Sequence, residues 1–277
     1  MQIKKRGVNL KKKSDRVDTL FHKGKVLILA YDQGLEHGPT DFNLLNIDPQ
    51  YIMDVGLEGR FSAIAAQAGI AEKYHVDHYK DVPLIVKLNG KTKLSKEDPL
   101  SLQHTSVDYA EKLGAIAVGY TIYLGSNHEQ QMLVEFGKIC EEAHQKGLLA
   151  ICWMYPRGSN IQEEESTETI AYGTRVAMEL GADIIKIKYN GDQEGLRWIV
   201  KAAGKAKVVI AGGSKKTDYE FMQMTREVID AGAAGLAVGR NIWQHKNPLL
   251  MAKVLKEIIF NNKKPQEILQ ELKNHKY

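Results

Sequence analysis

The sequence lacks the features that mark disulfide-rich, zinc-stapled and membrane-spanning proteins. It has only two cysteines, Cys140 and Cys152, with no CxxC pair and no cysteine–histidine cluster, so neither a disulfide framework nor a structural zinc site is expected. No apolar run approaches the roughly 20 residues that span a bilayer. No apolar segment follows the basic N-terminus as it would in a secretory signal. These absences predict a cytoplasmic protein with free thiols and no membrane partner.

The chain also lacks a strong excess of charge of one sign and any segment with the composition of a flexible linker. Lysine and arginine number 38 against 34 acidic residues, a net charge of only +4, and short basic runs such as Lys4–Arg6 are usually solvated surface. We therefore expect no nucleic-acid partner. With seven prolines and no Pro/Gly/Ser-rich stretch, nothing marks a domain boundary. We predict one domain over residues 1–277, with 1–24 as an N-terminal cap segment and 261–277 as an extra C-terminal helix.

Short apolar runs alternate with amphipathic stretches along the whole chain. Such runs are typical of parallel strands that are covered on both faces. The predicted strands are Val26–Tyr31, Ser62–Ala66, Leu84–Leu88, Ala115–Tyr120, Leu148–Met154, Ile184–Ile187, Lys207–Ala211 and Gly235–Val238. The predicted helices include Pro99–Leu113, His128–Lys146, Ser166–Leu180, Thr217–Ala231 and Pro248–Phe260. Eight such alternations predict a single-domain α/β fold, the (β/α)8 TIM barrel. An open doubly wound sheet is the alternative, weakened because no GxGxxG follows the first strand.

Glycine-rich loops follow the last two predicted strands. Barrel active sites lie at the carboxyl ends of the strands, and the loops after strands seven and eight often bind phosphate. Gly212, Gly213 and Ser214 follow strand seven, and Gly239 and Arg240 follow strand eight. Bare backbone N–H groups and an arginine fork suit a phosphate. The alternative is that these glycines only make tight turns.

Strand six carries two lysines at alternate positions. Lys186 and Lys188 share one face, while Ile185 and Ile187 share the other. If the isoleucines pack outward, both lysines enter the barrel, where burial and a neighbouring cation lower the amine pKa. A lysine that is neutral near pH 7 is the nucleophile of a Schiff base. Alternatively, one lysine reaches the rim and pairs with a carboxylate.

Three more polar or aromatic side chains are candidates at the same rim. Trp153 and Tyr155 share a face near the end of strand five, where Tyr155 is either an acid/base group or a core tyrosine. Asp32, after strand one, is either a substrate ligand or a turn former. His37 has no second histidine at ligand spacing, so we expect no metal.

Together these segments resemble the archaeal-type class I fructose-1,6-bisphosphate aldolases, from Leu27 to about Asn247. The marks are Ala30–Pro39, Lys87–Thr92, Trp153–Gly158, Lys186–Tyr189, Gly212–Lys215 and Val238–Asn241. The resemblance implies that Lys186 forms the Schiff base, Tyr155 transfers protons, Asp32 meets a substrate hydroxyl and Trp153 lies in the active site. It also implies that Gly212, Gly213, Ser214, Gly239 and Arg240 hold phosphate, and we expect Arg157 and Lys188 to contact the substrate.

The resemblance implies metal-independent, cofactor-free cleavage of fructose 1,6-bisphosphate by a homo-oligomer, with a ring-type decamer as one form. A sister group, the 2-amino-3,7-dideoxy-D-threo-hept-6-ulosonate synthases, uses the same lysine and tyrosine and remains the alternative. Trp153 favours the fructose-bisphosphate branch. A binding protein on a barrel scaffold is the alternative from another class.

Overall fold

Eight parallel strands close into a barrel in chain order, and β8 pairs with β1. The structure is a computed structural model that describes residues 13–274. The strands are β1 Val26–Tyr31, β2 Ala63–Gln67, β3 Leu84–Lys87, β4 Ala117–Leu124, β5 Leu149–Pro156, β6 Ile184–Ile187, β7 Lys207–Ala211 and β8 Gly235–Val238. The closed order confirms the predicted (β/α)8 barrel and excludes the open doubly wound sheet.

Helices connect the strands and cover the outside of the barrel. They are α1 Lys13–Leu20, α2 Gly34–His37, α3 Pro49–Glu58, α4 Ala68–Tyr74, α5 Val107–Lys112, α6 Glu129–Gln145, α7 Thr167–Glu179, α8 Gln193–Ala202, α9 Asp218–Asp230, α10 Arg240–Trp243, α11 Pro248–Asn261 and α12 Pro265–Asn274. Side-chain caps set several starts. The Ser166 hydroxyl accepts from Thr169 N before α7, and Thr217 and Glu220 form a capping box before α9. No helix in residues 13–274 is long and apolar enough to cross a membrane.

Strand alternation divides the core into an inner and an outer layer. On β5, Ile151 and Trp153 pack with the barrel interior, whereas Cys152 and Met154 pack between the strands and the helices. The same alternation operates on every barrel strand. It therefore decides which side chains near the strand ends can face a ligand.

The predicted helix over Pro99–Leu113 is wrong in its first half, since only Val107–Lys112 is helical. The preceding residues cross the carboxyl end of the barrel and are held there by polar contacts. Asn89 Nδ2 donates to Ser101 O at 2.7 Å, and Asn89 forms an isolated β-bridge with Gln103. These tertiary hydrogen bonds override the helical pattern of the segment. The helix starts only where the Ser106 side chain caps it.

The amino end of the barrel is covered by α1 and the residues after it. Leu20 and Phe21 pack with the interior cluster, and Arg16 Nη1 donates to Ala115 O at 2.9 Å. Residues 1–12, most of the predicted basic N-terminal stretch, lie outside the described residues. At the other terminus α12 packs on α9 and α11, and Gln266 Nε2 donates to the Tyr219 hydroxyl at 3.1 Å.

Candidate active site

A cavity of about 610 Å³ opens at the carboxyl ends of the strands. Its wall contains every site residue predicted from the sequence: Asp32, Trp153, Tyr155, Arg157, Lys186, Lys188, Gly212, Gly213, Ser214, Gly239 and Arg240. They come from strands or loops far apart in the chain. Closure of the barrel is what brings them together.

Lys186 lies on β6 with its side chain inside the barrel. It is 6% exposed, while Ile185 and Ile187 pack in the outer layer, as strand parity predicted. Its Nζ lies 5.0 Å from the ring centre of Trp153. Burial lowers the pKa of Lys186, and the Asp32 carboxylate partly opposes this shift. The amine is therefore easier to deprotonate than a surface lysine, as a carbonyl nucleophile must be.

Lys188 does not form the inward lysine pair expected from alternation. Strand β6 ends at Ile187, so the alternation stops one residue too early. The Lys188 side chain is 38% exposed and its Nζ lies 2.7 Å from Glu165 Oε1. The alternative of a rim lysine paired with a carboxylate is thus correct for Lys188, which still lines the cavity.

The second buried cation is Lys87, at the end of β3. Its side chain is 4% exposed and lines the cavity, and its Nζ lies 5.4 Å from the Trp153 ring centre. Burial lowers the pKa of Lys87 to about 8, and the charge of Lys186 adds to that effect. Lys87 had no predicted role. Its position at the carboxyl end of predicted strand three was the feature of the sequence that could have identified it.

Space for the Trp153 ring comes from a glycine on the neighbouring strand. Gly119 on β4 lies so close that a Cβ there would come within 2.1 Å of the ring atom Cζ3. Any larger residue would displace the indole. Gly119 therefore allows the ring to reach both Lys87 and Lys186.

Tyr155 lies opposite Tyr123 across β4 and β5, and both tyrosines line the cavity. Burial raises the pKa of Tyr155 well above its usual value, and the Asp32 carboxylate adds to the effect. Tyr155 therefore keeps its proton at neutral pH and can act as a donor. The Arg157 guanidinium lies 5.7 Å from the Tyr123 ring centre and 3.7 Å from Glu36 Oε1.

The loops after β7 and β8 are joined by side chains of the second loop. Asn241 Nδ2 donates to Gly212 O and Ser214 O at 2.9 Å, and Arg240 Nη2 donates to Gly213 O at 3.3 Å. Gly213 has a φ of 70°, a left-handed conformation that favours glycine. The glycines thus do make turns, and the same loops line the cavity. Asn241, which had no predicted role, holds them in place.

Acidic and histidine side chains do not gather into a metal cluster in the described part of the chain. His37 instead pairs through Nδ1 with Asp41 at 2.5 Å. The cations of the cavity, Lys87, Lys186, Arg157 and Arg240 among them, suit an anionic ligand.

Comparison with known proteins identifies the family. A profile of the DeoC/LacD family of aldolases matches residues 26–245. The class 1 fructose-bisphosphate aldolase of Thermoproteus tenax is 46% identical over 250 residues, 89% of this chain and 94% of that protein. The enzyme of the same name from Halobacterium salinarum is 45% identical over 248 residues, 89% of this chain and 94% of that protein.

A solved structure supports the same assignment. It is an archaeal fructose-1,6-bisphosphate aldolase whose catalytic lysine is covalently bound to the carbinolamine intermediate of the substrate. It superposes with a TM-score of 0.85 at 44% identity and covers 90% of this chain and 99% of its own. The chain therefore belongs to the DeoC/LacD family of aldolases, in the group of the class 1 fructose-bisphosphate aldolases.

Proposed function

We propose that this protein reversibly cleaves fructose 1,6-bisphosphate into dihydroxyacetone phosphate and glyceraldehyde 3-phosphate through a Schiff base on Lys186. The observation that carries the proposal is a buried amine of lowered pKa inside a cavity lined by cations and glycine loops. The names of relatives 45–46% identical to the chain support the substrate.

Lys186 supplies the covalent chemistry. Its neutral Nζ adds to the C2 ketone, and loss of water leaves an iminium joined to the enzyme. A base then removes the C4 hydroxyl proton, the C3–C4 bond breaks, and its electron pair moves into the iminium to give an enamine. Glyceraldehyde 3-phosphate leaves. The positive iminium nitrogen is the electron sink, so the reaction needs no Lewis acid.

Asp32 and Tyr155 handle the protons in this scheme. Asp32 orients or deprotonates the C4 hydroxyl, in keeping with its electrostatic influence on Lys186, Lys87 and Tyr155. Tyr155, protonated at neutral pH, donates to C3 of the enamine. Water then hydrolyses the iminium and releases dihydroxyacetone phosphate.

Phosphate binding is assigned to the loops after β7 and β8, with Arg157 and Lys188 contacting the remaining polar groups of the substrate. Replacing Arg240 by alanine is expected to raise KM more than it lowers kcat, because the contact is the same in the ground and transition states. The loss of one charge-assisted hydrogen bond is worth about 1.5–3 kcal/mol, or roughly 10- to 100-fold in KM. Steady-state kinetics measure this, and an unchanged KM removes Arg240 from the phosphate site.

The aldolase should keep full activity in excess EDTA, since the iminium does the work of a metal ion. The measurement is a coupled cleavage assay on fructose 1,6-bisphosphate, with and without chelator, after dialysis. Activity that is lost on chelation and restored by a divalent ion would contradict the Schiff-base scheme.

The same assay, repeated with other phosphosugars as substrates, tests the alternative that the protein is a heptulosonate synthase. If the alternative is right, fructose 1,6-bisphosphate is not cleaved.

We further propose that the protein works in the cytoplasm as a homo-oligomer. Several large apolar side chains are exposed on the outer helices, including Tyr172 on α7 at 68% and Trp198 on α8 at 51%. Exposed apolar groups of this size are common where subunits meet.

A further inference from the structure

Asn89 is a fully buried amide just beyond the end of β3, and both ends of its side chain are engaged. Nδ2 donates to Ser101 O at 2.7 Å and to Thr121 O at 2.9 Å. Oδ1 accepts from Thr121 N at 2.8 Å and from Lys87 Nζ at 3.0 Å. Four partners fix the orientation of this amide, because reversing it would set donors against donors.

The backbone of Asn89 holds the same ammonium group. Its carbonyl oxygen accepts from Lys87 Nζ at 3.0 Å and from Gln67 Nε2 at 3.3 Å. A lysine ammonium has three N–H donors, and Asn89 takes two of them. One N–H is left on a side chain that lines the cavity.

Lys87 on β3 and Lys186 on β6 lie three strands apart in the barrel, but both reach the same indole. Their Nζ atoms lie 5.4 Å and 5.0 Å from the centre of the Trp153 ring. The Asp32 carboxylate favours the charged form of both amines, and Glu36 also favours that of Lys87. The charge of Lys186 nevertheless disfavours that of Lys87, and two buried charges repel each other more strongly than they would in bulk water.

We propose that Lys87 is a second catalytic lysine and that Asn89 is its positioning residue. Asn89 holds the Lys87 ammonium beside the Schiff-base amine and leaves one N–H for the substrate carbonyl oxygen. As Nζ of Lys186 bonds to C2, the carbonyl π electrons move to that oxygen, and the Lys87 N–H stabilises the charge that develops there. This inference rests on the proposed Schiff base at Lys186.

Two consequences follow from the charge on Lys87. Below its pKa of about 8, Lys87 is an ammonium held by two acceptors, and its charge favours the neutral form of Lys186 and so makes the nucleophile available at lower pH. A neutral side chain at position 87 removes this electrostatic effect on Lys186. The pKa of Lys186 then rises, and Schiff-base formation needs a higher pH.

The test is the pH dependence of adduct formation with dihydroxyacetone phosphate and cyanoborohydride in the full-length protein, from pH 6 to 9.5. For Lys87→Met we expect the pH at which the trapping rate reaches half its maximum to rise by about one unit. Trapping at neutral pH should fall roughly tenfold or more, with partial recovery at high pH. Lys87→Arg, which keeps the charge, should leave this pH near its wild-type value. Asn89→Ala should raise it by less than Lys87→Met does, because the backbone acceptor remains.

A matched control separates positioning from loop stability. The Ser126 hydroxyl donates to Pro99 O in the same segment before α5 at 2.7 Å, and Ser126 does not line the cavity. Ser126→Ala should lower Tm and leave the pH profile unchanged. A profile of Lys87→Met that coincides with the wild type overturns the inference, even if Asn89→Ala does not fold. An unshifted profile in folded Asn89→Ala removes the positioning role. Absence of an adduct in the wild type at every pH would instead overturn the proposed function itself.

Discussion

Replacing Lys186 by methionine is expected to lower the rate of fructose 1,6-bisphosphate cleavage by about 10⁶-fold, the size of loss seen when a covalent nucleophile is removed. Methionine has a similar length and no amine, so the cavity keeps its shape while the covalent step becomes impossible. Cleavage assays measure the loss. Peptide mapping after borohydride reduction of the wild type with dihydroxyacetone phosphate should place the adduct on Lys186. An adduct on Lys87 or Lys188 would contradict the assignment.

The same substitution should raise thermal stability at neutral pH. The pKa of Lys186 is lowered in the folded protein, so the unfolded chain binds more protons between the folded pKa and the usual value of 10.5. Wild-type stability therefore rises with pH across that window, and the cost of burying the amine is largest below it. Methionine removes this cost, and we expect a Tm gain of a few degrees at pH 7 that shrinks as the pH approaches about 10.5.

A lysine at the opposite end of the barrel provides the control. Lys207 begins β7 and is exposed. Lys207→Met should leave both cleavage and the pH dependence of Tm close to the wild type. If Lys186→Met loses no activity, or if it is less stable than the wild type at pH 7, the interpretation of Lys186 as a buried nucleophile is wrong.

Tyr155→Phe should lower turnover by roughly 10²–10⁴, the usual contribution of a positioned acid or base. Burial and the Asp32 carboxylate keep the hydroxyl protonated, which suits donation to the enamine carbon. Phenylalanine keeps the ring, so the packing on β5 and phosphate binding should barely change. Stopped-flow or steady-state cleavage assays, with circular dichroism to check folding, measure the effect.

The neighbouring tyrosine tests whether Tyr155 is the donor. Tyr123 faces the same cavity from the adjacent strand, and burial likewise keeps its pKa high. Tyr123→Phe should lose only a few-fold in turnover. If the large loss appears in Tyr123→Phe and not in Tyr155→Phe, the two roles must be exchanged.

Most of the barrel could be predicted from the sequence, because apolar runs buried on both faces differ clearly from amphipathic helices. Strand parity on β6 correctly placed Ile185 outside and Lys186 inside. Prediction failed where long-range hydrogen bonds outweigh local pattern. The residues before α5 have a helical apolar spacing, but Asn89, which lies 12 residues before Ser101 and outside the helical pattern, holds them in a non-helical conformation.

The candidate site shows the same division. The glycines after β7 and β8, and the lysine, tyrosine and tryptophan at the strand ends, were visible as residue types at the rim. Which lysine would lie beside Lys186 could not be predicted, because Lys188 is two residues away in sequence whereas Lys87 is on β3, three strands from β6 in the barrel. Parity alone favoured Lys188, and the early end of β6 reversed that choice.

By itself, the sequence determined the eight-fold alternation, the inward face of β6 and the residue types available at the rim, since these depend on local periodicity. Only the tertiary structure decided that Lys87 and Lys186 both reach Trp153, that Gly119 leaves space for the ring, and that Asn89 holds Lys87. These relations join residues from β3, β4, β5 and β6. Closure of the barrel and the register of its strands set their distances, and neither is encoded in any one segment.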